Sequence, residues 1–183
     1  MSTHRLPQQY HHNRYVFHCA DPANVESILD AGIEHTRPPG PDTQDAADVI
    51  NSLASDTHFP FDRTNVVYCY TTPTYVAKTL RDREHHSDFF DDVVLVIDTT
   101  KINAPMYLAD MSTVSDLLDY YYVDASIMIR YDTPTEALAA YDDSIQRVTS
   151  PADIAAYDSG IVGGLPELIV DGTVPADAVV DVI

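Results

Sequence analysis

Lysine is almost missing from this 183-residue chain: Lys78 and Lys101 are the only two. Ten basic residues stand against 29 acidic ones, for a formal net charge of -19. There is no basic stripe to track phosphates, which excludes a general nucleic-acid-coating role. Cysteine is nearly absent too. Cys19 and Cys69 cannot build a disulfide framework or close a zinc site unaided, so reduced thiols and a cytoplasmic setting are expected. No apolar run approaches the length of a membrane span, and "MSTHRLPQQYHHNRY" at the start lacks the apolar core of a secretory signal.

What remains is the apolar and aromatic content of one globular domain, long enough to bury a core. Aspartate greatly outnumbers glutamate, a composition that resembles that of halophilic proteins, which fold in molar salt. There the Debye length falls to about 3 Å and self-repulsion is screened. The acidity therefore reads as solvation.

Residues 1–13 read as a polar arm and 14–183 as the domain. "RYVFHCA" (14–20), "NVVYCY" (65–70) and the continuous apolar run "DVVLVID" (92–98) are expected strands. A helix is expected over 21–32, with Asp21 as cap, Pro22 in the first turn and Gly32 as stop; Val25, Ile28, Leu29 and Ile33 form its apolar stripe. Residues 34–44 read as a loop and 45–54 as a short helix. Thr72-Pro73 opens another helix to about residue 84. The stretch 110–160 reads as mostly helical, with start signals at Thr133-Pro134-x-Glu136 and Ser150-Pro151. "ELIVDG" (167–172) and "AVVDVI" (178–183) close the chain as strands. Strands at both ends around helices predict an α+β fold.

Three polar residues sit inside apolar strand sequence: His18, Tyr68 and Glu167. Glu167 demands the most explanation, because a carboxylate without partners is costly to bury. Their flanks carry a resemblance. "YVFHCADPANVESILDAGI", "NVVYCYTTPTYVAKTL" and "LPELIVDGTVPADAVVDVI", in this order, resemble the His-Tyr-Glu branch of the ADP-ribosyltransferase superfamily. That branch includes the diphtheria-toxin-like enzymes and the poly(ADP-ribose) polymerases. The three blocks cover roughly a third of the chain; 34–64 and 100–165 lie outside them.

The resemblance implies a split β-sheet core, a pair of small and mostly antiparallel sheets, forming an NAD cleft with peripheral helices. It implies that His18 binds the adenosine ribose of NAD, that Tyr68 stacks on the cationic nicotinamide ring, and that Glu167 is catalytic. Glu167 would bind the 2'-hydroxyl of the nicotinamide ribose and stabilise the oxocarbenium left when nicotinamide departs. The acceptor of ADP-ribose, protein or nucleic acid, is not identified. Two positions depart from the family pattern. Ala20 stands where Ser or Thr touches the ribose, and Leu165 stands where the arginine-modifying branch has Glu or Gln.

NAD carries a pyrophosphate, for which Arg37 is the first candidate partner, ahead of Arg14 and Arg63. Strand alternation pairs the cysteines with the opposite side: if His18 and Tyr68 face the cleft, Cys19 and Cys69 face away. Of the other histidines, His4, His11, His12, His35, His58, His85 and His86, none has a second ligand at metal-binding spacing, so no metal site is expected. One competing reading is a different enzyme, with His and Glu in general acid–base roles on another phosphorylated substrate; the main one is a non-catalytic binding or assembly module on the same fold, virion-associated in place of cytoplasmic. A pocket filled by side chains from 34–64 would favour it.

Overall fold

A computed structural model describes residues 6–34, 50–51, 59–73, 76, 93–122, 130–161 and 163–183. Its centre is one seven-stranded sheet in which every neighbouring pair is antiparallel. The strands are β1 (Tyr15–Ala20), β2 (Val67–Tyr70), β3 (Val93–Asp98), β4 (Met106–Asp110), β5 (Gln146–Val148), β6 (Pro166–Val170) and β7 (Val179–Val182). Their order across the sheet is β5-β4-β6-β2-β1-β3-β7. Among the described residues, the α-helices seen from end to end are α1 (Val25–Ala31), α2 (Met111–Tyr122), α3 (Pro134–Ser144) and α4 (Pro151–Ala156). The α+β class is as expected. The expected pair of sheets is instead a single sheet with a narrow joint. β1 registers with β3 from Tyr15↔Asp98 to Ala20↔Val93, but with β2 only at Phe17↔Tyr70.

Alternation sorts the core onto two faces. Val16, Val67, Cys69, Leu95, Ile97, Leu108, Leu168 and Val170 form one buried cluster, with Ile28 of α1 and Ile154 of α4 packed against it. The other face carries two clusters. Val66, Ala109 and Ile169 meet Leu117 of α2 and Ala137, Leu138 and Tyr141 of α3. Phe17, Val94 and Val96 meet Leu6, Tyr10 and Val76. From the segment before β1, two side chains thus pack on the sheet. Leu6 and Tyr10 are buried, and the Tyr10 hydroxyl donates to Asp181 at 2.7 Å.

Start signals landed well. Asp21 accepts from Ala23 N–H at 2.8 Å, heading a 3-10 turn that runs into α1. Gly32 ends α1 at φ 88°, and a Cβ there would lie 2.3 Å from the Val174 carbonyl oxygen. Glu136 N–H donates to Thr133 Oγ1 at 3.2 Å, and Asp153 takes the Ser150 N–H at 2.8 Å. The stretch 110–160 is less helical than expected, because Gln146–Val148 adds to β4 as an edge strand. Of the expected helix at 45–54 only Ile50 and Asn51 are described, and of that at 73–84 only Pro73 and Val76; the remainder lies outside the described residues, as does most of the 34–44 loop with Arg37.

Candidate functional site

β2 and β6 pair as Val67↔Val170, Tyr68↔Ile169, Cys69↔Leu168 and Tyr70↔Glu167. Partners in register share a face. Tyr68, Tyr70, Ile169 and Glu167 therefore stand on one side, the side of α2 and α3. Glu167 also lies opposite Ala109 of β4, so strands flank it on both sides. It is 4% exposed.

A buried Glu167 needs a cation, and Arg63 supplies it. Arg63 belongs to a turn just before β2, closed by Asn65 N–H to the Asp62 carbonyl at 3.0 Å. The Asp62 carboxylate braces this turn by accepting from Thr64 N–H at 2.9 Å and Thr64 Oγ1 at 2.7 Å. From there the guanidinium reaches inward. Arg63 Nη1 lies 3.1 Å from Glu167 Oε1, with both side chains almost fully buried. The guanidinium carbon sits 4.8 Å from the centre of the Tyr68 ring and 5.0 Å from that of Tyr141. The Tyr141 hydroxyl donates to Glu167 Oε1 at 3.1 Å and also contacts Arg63 Nη1. The Tyr68 hydroxyl donates to the Arg63 carbonyl at 2.6 Å.

These four side chains make a neutralised set: one cation, one carboxylate, two aromatic faces. Burial opposes the charge on Arg63, yet Tyr141, Glu167 and Tyr68 together raise its pKa above the ordinary range. Burial pushes the Tyr68 and Tyr141 hydroxyls upward, so both stay protonated as donors. Chemically the set is a cation-binding cage of aromatic rings and a carboxylate.

His18 occupies a different position. It is buried, and its Nδ1 lies 2.8 Å from the Tyr68 carbonyl oxygen. A carbonyl only accepts, so Nδ1 carries the proton. The register Phe17↔Tyr70 decides which way the ring points. Val16 and Ala20 join the cluster containing Cys69, whereas Cys19 packs with Phe17 and Tyr70. By alternation His18 stands with Val16 and Ala20, across the sheet from the Tyr68 ring and Glu167. The three residues are neighbours, but their side chains do not share a face. Cys19 and Cys69 also lie on opposite faces, not together as expected; one step of register accounts for both differences.

The arginines divide. Arg37 lies outside the described residues. Arg14 is engaged by Asp98, its Nε 2.8 Å from Oδ1 and its Nη2 on Oδ2. Arg63 meets the candidate carboxylate itself. Among the described residues, no group of three His, Cys, Asp or Glu could hold a metal ion.

A second buried carboxylate sets the approach to Glu167. Asp110 ends β4 and is fully buried. Its Oδ1 accepts from Ser112 N–H at 2.9 Å, Ser112 Oγ at 2.5 Å and Leu165 N–H at 3.1 Å; its Oδ2 accepts from Ser159 Oγ at 2.6 Å. It thereby caps α2 and ties down the loop that delivers Pro166 and Glu167. Although burial opposes ionisation, the Ser112, Ser159 and Leu165 bonds hold Asp110 below the usual carboxylate range.

The sequence reading missed Tyr141 and misjudged Arg63. Tyr141 lies on the stripe Ala137, Leu138, Tyr141, Ser144 of α3, all buried. A tyrosine in a buried stripe needs a partner for its hydroxyl, and that signal was available.

Comparison with known proteins returns no matching family model, no matching curated protein and no matching solved structure. Among the described residues, no helix is long and apolar enough to cross a membrane.

Proposed function

We propose that this chain is an NAD-dependent ADP-ribosyltransferase of the His-Tyr-Glu type, with Arg63 seated in the nicotinamide-riboside half of its site. One observation carries the reading. Tyr68 and Glu167, from strands far apart in sequence, grip a single cation between an aromatic face and a carboxylate. Those are the two contacts that the resemblance assigns to the cationic nicotinamide ring and its ribose.

In the proposed reaction the bond between the nicotinamide nitrogen and ribose C1' breaks. Its electron pair leaves with nicotinamide, which becomes neutral, and positive charge develops on the ribose. The Glu167 carboxylate stabilises that charge. An acceptor nucleophile then bonds to C1' and gives up a proton. In this reading His18 is a positioning residue: from the opposite face of the sheet its ring bonds the Tyr68 carbonyl and holds the strand that carries Tyr68.

A second reading is favoured by a specific observation. Arg63, from the 34–64 stretch, fills the space between Tyr68, Tyr141 and Glu167, and His18 faces the other side of the sheet. On that reading the fold is a non-catalytic binding or assembly module and the four residues are structural.

The separating experiment measures nicotinamide release from NAD in molar salt by the wild type, Glu167→Gln and Arg63→Ala, with melting temperatures for all three. The transferase reading expects release by the wild type and a fall of roughly two to three decades in Glu167→Gln. If neither the wild type nor Arg63→Ala releases nicotinamide, the module reading replaces it.

A further inference from the structure

We infer that Arg63 is a built-in occupant of a cation site walled by Tyr68, Tyr141 and Glu167, and that a planar aromatic cation competes with its guanidinium for that site. The inference rests on the nicotinamide reading of Tyr68 and Glu167. It adds a third wall, Tyr141, and a control: the site is available to ligand only when Arg63 leaves it.

Four features support this. The guanidinium is planar and cationic, as an N-substituted nicotinamide ring is, and it lies over two tyrosine rings at 4.8 and 5.0 Å. Aromatic faces attract either cation through the same ring quadrupole. The carboxylate that neutralises it is 4% exposed, so an arriving cation must replace Arg63 instead of joining it. Tyr141 contacts Arg63 and Glu167 together through one hydroxyl, so it senses whichever cation is present. Finally, Arg63 springs from a turn, not from a strand or helix. Its side chain can withdraw without breaking the ladder of β2, because the turn is held by its own Asp62 and Asn65 contacts.

The same arrangement sets the ligand class. A neutral ring would leave Glu167 without a counter-charge, and an aliphatic ammonium would lack the flat surface matched by both rings. A flat aromatic cation satisfies all three walls.

The test uses Arg63→Ala, with the 1-methylnicotinamide cation and neutral nicotinamide as probes, by calorimetry and circular-dichroism melting in molar potassium chloride. If the variant is folded, the cation binds at least about tenfold more tightly than nicotinamide, and more tightly than to the wild type. Tyr141→Leu added to Arg63→Ala weakens the cation by about fivefold. Equal binding of the two probes, no binding, or equal binding to wild type and variant overturns the inference. If the variant is unfolded, the cation restores the folded signal and nicotinamide does not; failure of the cation to restore it overturns the inference equally. Nicotinamide release from NAD is followed in the same samples. Cation binding without release leaves the Arg63 inference standing and removes the transferase reading. Release without cation preference does the reverse.

Discussion

Removing the charge from Glu167 alone leaves Arg63 buried beside two tyrosines without its carboxylate. Breaking one side of a buried ion pair typically costs about 3–5 kcal/mol, mostly as the penalty of the stranded charge. Glu167→Gln keeps an acceptor for the Tyr141 hydroxyl, which places the expected loss near the lower end, about 3 kcal/mol. For a chain of this length that is a drop of roughly 6–12 °C in melting temperature. Replacing both partners with apolar side chains of similar size removes the stranded charge. Arg63→Met with Glu167→Leu is therefore expected to recover most of the loss, with a coupling of about 0.5–3 kcal/mol between the sites. Salt should not change this coupling much, because both side chains are almost fully buried and ions screen such pairs weakly. The assay is a double-mutant cycle by urea unfolding at two concentrations of potassium chloride. Single variants that each lose less than about 1 kcal/mol, or a double variant that loses the sum of both, would refute the buried-pair argument.

The formal charge of -19 leads us to expect that overall stability falls as salt is diluted from molar to millimolar; an unchanged melting temperature contradicts this. The Arg14 guanidinium beside Asp98 holds its carboxyl down to about 2, aided by Thr100. A depressed carboxyl contributes stability that is present above its unfolded value near 4 and is lost as pH falls toward 2, so Asp98→Asn should flatten acid unfolding in that window by about 1–2 kcal/mol, allowing for the exposed Arg14. A Cβ at Gly164 would lie 2.2 Å from Asp110 Oδ2, so Gly164→Ala is expected to lower stability by about 1–3 kcal/mol, read by urea unfolding; a neutral outcome would show that the loop before β6 yields. Burial pushes the Cys69 thiol up, whereas Cys19 is half-buried, so native-state alkylation followed by mass spectrometry should label Cys19 well before Cys69.

Local chemistry was legible in the sequence wherever it depended on neighbours along the chain. The β-branched and aromatic runs became β1, β2, β3, β6 and β7. Asp21, Thr133 and Ser150 began helical turns, and Gly32 ended one, because capping depends on a few consecutive residues. Burial of Glu167 could be anticipated too, from a carboxylate at the head of "LIV". What pairs with it could not. Arg63 and Tyr141 approach Glu167 from separate elements, and no sequence spacing encodes that meeting. The orientation of His18 shows the same limit. Alternation within "YVFHCA" and within "VVYCY" tells which residues of each strand stand together, but only the register Phe17↔Tyr70 relates one strand's sides to the other's. Side chains repeat every two residues, so a slip of one would have put His18 beside the Tyr68 ring and Cys19 beside Cys69. The tertiary fold made that choice by gathering Phe17 with Tyr70 in one cluster and Val16 with Cys69 in another, contacts formed between strands and not along the chain.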